Sequence, residues 1–116
     1  MVRGDMNEFI LTGVLNSPVG KYEIRVSPAE LIATSEDSSV NVGLGSIKEL
    51  RSGFAVPGKG GGYVMLYLVL KDTSEKSLLQ SEGYDEETRE GYEKLGQELA
   101  GKLNLPFRAT SFGADA

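Results

Sequence analysis

A mostly-β domain closed by one C-terminal helix is the fold class this sequence predicts, and three observations predict it. Turn-forming clusters recur about every eight to twelve residues, the spacing of a meandering β fold. Lys21 to Val26 puts Tyr22, Ile24 and Val26 on one face and Lys21, Glu23 and Arg25 on the other, the alternation of a strand half in water. Only after Tyr84 does the apolar period lengthen to that of a helix.

The elements follow in order. Glu8 to Asn16 is aliphatic and β-branched, and the cluster Asn16-Ser17-Pro18 turns it. Lys21 to Val26 is stopped by Ser27-Pro28, and Glu30 to Thr34 forms a short third strand. The polar loop Ser35 to Ser39 returns the chain to a strand over Val40–Leu44. Gly45-Ser46 then breaks to a strand running from Ile47 to about Val56. Pro57 to Gly62 is a flexible connection before Tyr63 to Leu70, which is apolar on both faces and is therefore expected to be central. After a turn over Asp72 to Lys76, Ser77 to Ser81 makes about seven strands.

Asp85 is the expected N-cap of the helix, its carboxylate placed to accept free first-turn amides. Glu86, Glu87 and Glu90 suit the positive end of the dipole. Thr88, Tyr92, Leu95, Leu99 and Leu103 form one stripe, and Asn104 with Pro106 ends the helix. Gly91, Gly96 and Gly101 each cost roughly 1 kcal/mol relative to alanine. Gly96 lies on the stripe, where it permits close approach to the sheet; the pattern offers no reason for the other two.

Composition narrows the chemistry. The 116 residues are 40% apolar and 25% charged, which suits one globular core rather than a disordered chain. Residues 1–7 are read as a flexible leader, 8–106 as the domain and 107–116 as a C-terminal tail. The chain has neither cysteine nor histidine, so thiol nucleophiles, thiolate metal sites and the commonest general base and metal ligand are all missing. We therefore expect no enzyme, no catalytic residues, no metal and no cofactor. The net charge of −5 argues against nucleic acid as a partner. No apolar run is long enough to cross a bilayer and no signal-peptide pattern opens the chain, so the expected setting is a soluble cytoplasmic domain.

Three stretches carry a resemblance: the alternating strand Tyr22–Val26 with Glu30–Thr34 after it, the turn Gly45-Ser46-Ile47-Lys48-Glu49-Leu50, and the leucine-rich ending Leu95 to Pro106. Together they resemble a bacterial pleckstrin-homology-like (PH-like) domain over about Phe9 to Pro106. The resemblance implies a roll of about seven antiparallel strands closed by a C-terminal helix. It implies a binding or scaffolding module, and membrane association only if the chain is the soluble piece of a longer membrane protein.

Candidate binding residues come from several places. Lys21 and Arg25 share a strand face, but Glu36 and Asp37 in the third loop oppose the field a phosphoinositide headgroup needs, so no specific phosphoinositide binding is expected. Lys59 sits in the Gly-rich connection, which lacks the following helix of a phosphate loop and reads as a strand connection or a flap ordered by a partner. Tyr63 belongs to a set of five tyrosines able to line a pocket. Phe107 and Phe112 either tuck against the sheet or anchor another chain. Arg3-Gly4-Asp5 is a chance-length adhesion match, and Asp85 to Glu93 reads as a solvated helix start rather than a metal site. The functional expectation is capture of a protein or peptide partner, with a carrier or sensor of a small apolar or amphipathic ligand or lipid as the alternative.

Overall fold

A computed structural model describes residues 8–16, 19–36 and 38–114. The expected leader with its Arg3-Gly4-Asp5, the Ser17-Pro18 turn and Asp37 lie outside the described residues. The chain is mostly β, in two open four-stranded sheets with one helix. The first sheet is an antiparallel meander of β1 (Phe9–Asn16), β2 (Val19–Val26), β3 (Glu30–Thr34) and β4 (Ser39–Gly43), paired in that order. A short 3-10 turn, Leu44–Ser46, leads to the second sheet. This contains β5 (Ile47–Val56), β6 (Tyr63–Leu70), β7 (Glu75–Gln80) and β8 (Phe107–Ala114), in the order β7-β6-β5-β8, with α1 (Glu86–Leu103) between β7 and β8.

The alternation of β2 works as expected. Ile24 and Val26 are buried, while Lys21 and Arg25 are exposed on the other face. β6 is interior to its sheet, and both its faces are covered: Val64, Leu66 and Leu68 are fully buried on one, Tyr67 and Val69 nearly so on the other. The core joins the inward faces of both sheets to α1, with Ile24, Leu31, Leu50, Leu66, Leu68 and Leu99 among its fully buried side chains.

The helix ends behave as their residues dictate. The Asp85 carboxylate accepts from the Thr88 amide at 2.7 Å and from its hydroxyl at 2.9 Å. Asn104 adopts the left-handed conformation at φ 59°, and the Leu105 amide donates back to the Ala100 carbonyl. Thr88, Tyr92, Leu95 and Leu99 are buried, and a side chain at Gly96 would collide with Phe107 and Leu66. Glycine there is what lets the helix lie close on the sheet.

Three expectations are corrected. The strands among the described residues number eight rather than about seven, and the pairings are not all antiparallel, because β8 runs parallel to β5. The segment expected to be a tail is therefore largely a strand of the second sheet, and α1 is not the last element. The reason is a backbone one: β5 has an edge whose amides and carbonyls need partners. After the helix crosses the sheet, the chain re-enters in the direction of β5, as a parallel partner must. The Leu50 amide donates to the Pro106 carbonyl at 3.0 Å at the start of this pairing. Finally, β7 begins at Glu75 rather than Ser77, which puts Glu75 and Lys76 on a strand and not in the loop before it.

No helix among the described residues is long and apolar enough to cross a membrane.

Candidate functional site

The sequence-derived candidates separate onto three parts of the molecule. Lys21 and Arg25 lie on the outer face of the first sheet, with Glu23 between them. The Arg25 guanidinium pairs with the Glu23 carboxylate at 3.2 Å, and both side chains are about half exposed. Lys21 borders an open cleft of about 560 Å3 whose walls also hold Glu23 and Glu36. One lysine against two carboxylates gives this cleft no attraction for a polyanion.

Lys59 is exposed on the β5–β6 connection, which no helix follows. That connection is tied down where it meets the strand: the Tyr84 amide donates to the Gly61 carbonyl at 3.0 Å. Gly62 has φ +75°, and a side chain there would strike the Ala55 carbonyl. Phe107 is half-buried within the core, beneath α1 at Gly96. It packs against the core and is only partly exposed.

Tyr63 and Phe112 do come together, on the outer face of the second sheet. The Phe112 ring is stacked at 6.1 Å from Tyr63 and 6.4 Å from Tyr67, within the range of favourable tilted aromatic pairs. It sits directly over Gly53, where any side chain would collide with it. Glycine on β5 thus makes the seat for a ring carried by β8. Phe112 nonetheless remains 41% exposed.

The same face carries a charged group that the sequence reading did not single out. Register places Arg51 of β5 between Tyr67 of β6 and Arg108 of β8. Two neighbouring arginines repel, and Glu49 compensates from two residues along β5. Glu49 is buried and accepts from the Arg51 guanidinium. That hydrogen bond, with the positive field of Arg51, Arg108 and Lys48, holds the Glu49 carboxyl below its ordinary range against the opposing effect of desolvation. The Arg51 guanidinium is held further in its charged form by Glu49 first and Tyr67 second. Three cations thus act on one carboxylate, on a chain whose net charge is −5.

A signal for this arrangement existed in the sequence. Glu49, Arg51 and Gly53 alternate, as do Tyr63, Met65 and Tyr67, and as do Arg108, Thr110 and Phe112. Each triplet is one face of one strand. What the sequence lacks is the register that lays the three side by side.

The acidic residues at the helix start do not converge, and no group of three or more Asp or Glu among the described residues is placed to hold a metal ion. In comparison with known proteins, no family model matches the chain and no curated protein matches it.

Proposed function

We propose that this chain is a non-catalytic interaction module, a PH-like roll with an added strand, that captures a protein or peptide partner on the outer face of its second sheet. A four-stranded meander, a three-stranded meander and then a helix is the element order such a roll requires, and this supports the reading. The observation that carries the binding role is the Phe112 ring seated on Gly53 between Tyr63 and Tyr67, beside Arg51 and Arg108. Aromatic side chains and arginine are enriched at interface cores and dominate their energetics. Held on strands rather than loops, these side chains lose little freedom when a partner arrives.

The edge of β8 adds a second means of capture. It is an end strand of its sheet, able to accept an extended segment by strand addition. A segment added there runs beside Arg108 and Phe112, so the partner suited to it carries an acidic residue and an apolar one at strand spacing. The proposed setting is the cytoplasm, and neither a catalytic step nor a cofactor is assigned.

The test is affinity capture by the full chain, read by mass spectrometry, with wild type beside Arg108→Glu/Phe112→Ala. The expected result is a partner recovered by wild type and depleted at least tenfold by the variant, about 1.4 kcal/mol in binding. Equal recovery by a folded variant overturns the assignment of this face.

A further inference from the structure

Where the β1–β2 hairpin meets the first turns of α1 there is a partly open space of about 120 Å3, lined by Val14, Tyr22, Glu87, Thr88, Gly91, Tyr92 and Leu95. Val14 and Tyr22 also line the open cleft of the first sheet, so the two spaces adjoin. We propose that it is a binding site for a small neutral amphipathic molecule, one with an apolar body and a single hydrogen-bonding end.

The observation that points to a ligand is Tyr92. It is only 4% exposed, and its hydroxyl has no hydrogen-bond partner among the described residues. Buried polar groups are almost always satisfied, and leaving one unmade is costly. Burial, with Tyr22 close by, pushes the Tyr92 phenol up to about 12. The hydroxyl therefore keeps its proton and is available as a donor. A ligand oxygen in the space supplies the missing acceptor.

Gly91, an exposed residue, also lines the space. Helical glycine is unfavourable, and nothing in the sequence accounts for this one. A side chain built at Gly91 meets no atom within 4 Å, and the residue walls the space. A larger residue there therefore meets open space bordering the cavity rather than packed atoms.

The walls also select the ligand. Among the described residues no lysine or arginine lines the space, Glu87 does, and Glu98 acts on the neighbouring Tyr22 phenol. An anion is therefore disfavoured. A cation meets the positive end of the helix dipole and loses its hydration. A neutral molecule remains. An apolar cavity of roughly 150 Å3 accommodates benzene, so 120 Å3 sets the limit at a single small ring. Val14 and Leu95 supply apolar contact for the body, and Tyr92 takes the polar end.

Phenol is the appropriate probe, titrated into the isotope-labelled full chain and followed by NMR. Saturable shifts are expected at Val14, Gly91, Tyr92 and Leu95. Tyr92→Phe should weaken binding about tenfold, the effect of one hydrogen bond of about 1.4 kcal/mol. Gly91→Leu should abolish saturable binding by filling the space; if that variant does not fold, Val14→Trp blocks it from the opposite wall. The proposal is overturned if no saturable shift appears at millimolar phenol. It is equally overturned if the space holds only water that phenol does not displace, or if folded Gly91→Leu and Tyr92→Phe bind like wild type. None of these results bears on partner capture by the second sheet, which uses other residues.

Discussion

The two sheets carry the same kinds of outward-facing side chain and use them differently. On the first sheet Lys21, Glu23 and Arg25 stand in water, and the Arg25–Glu23 pair is about half exposed on each side. On the second sheet Arg51 lies between Tyr67 and Arg108 in register and pairs with Glu49, which is buried. An exposed ion pair is worth roughly 0–1 kcal/mol and its partners are free to move. A buried carboxylate holds the arginine it pairs with, because an unpaired charge there is strongly penalised. The lesson is that a cation's sequence neighbours matter less than what lies across the sheet from it. β8 brings Arg108 and Phe112 alongside β5, next to the Arg51–Glu49 pair.

Several experiments break or sharpen this contrast. The largest effect is expected beneath the second sheet. Leu99→Ala removes a fully buried side chain that α1 presses into the core, and should cost about 2–5 kcal/mol in chemical denaturation. Ile10→Ala, at an exposed position of the first sheet, should stay within about 0.5 kcal/mol. Similar losses from both would mean that the sheets are not covered unequally.

Gly96→Ala comes next. It forces a methyl group against Phe107 and Leu66 and should destabilise by roughly 1–3 kcal/mol despite alanine's better helix propensity. Gly101→Ala, which meets open space, should instead stabilise by up to about 1 kcal/mol. Thermal or denaturant midpoints of the two variants, moving in opposite directions, check the close approach of α1.

A third experiment uses acid. The folded Glu49 carboxyl is held down chiefly by its hydrogen bond to Arg51. Its stabilisation is therefore present above the ordinary carboxyl value of 4.5. It is lost as pH falls below that value and through the depressed folded one. Glu49→Gln should lower stability at neutral pH and flatten the acid limb of the stability–pH curve. An unchanged limb would remove Glu49 from its role as the clamp between the arginines.

The smallest effect belongs to the first sheet. No specific sedimentation with phosphoinositide-containing vesicles is expected at physiological salt, since each basic residue contributes only about 1 kcal/mol at an anionic surface and Glu23 and Glu36 adjoin Lys21. Salt-sensitive binding that Lys21→Ala/Arg25→Ala abolishes would reverse the contrast between the sheets.

What the sequence makes legible here is local. β3, β5, β6 and the helix with both caps fall where their punctuation and periodicity put them. β8 was invisible as a strand because Pro106 precedes it and Ala109, Thr110 and Ser111 dilute its alternation. Its strand character comes from the waiting edge of β5, a partner far upstream in the chain. The site shares that difficulty. Tyr63 stands out as one of five tyrosines and Phe112 as an apolar residue in an expected tail, whereas Arg51, Arg108 and Gly53 acquire meaning only from a parallel register. Lys21 and Arg25 were conspicuous because they share one strand, and that conspicuousness carries no information about burial.

The central claim, that the outer face of the second sheet is where a partner binds, is tested most directly by matched charge reversals on the two faces. Wild type, Arg108→Glu/Phe112→Ala and Lys21→Glu/Arg25→Glu are compared for partner capture at equal folded concentration. Loss of the partner at least tenfold in the first variant, with retention in the second, is the expected result. Retention by both variants, or loss confined to the Lys21 and Arg25 pair, would contradict the account.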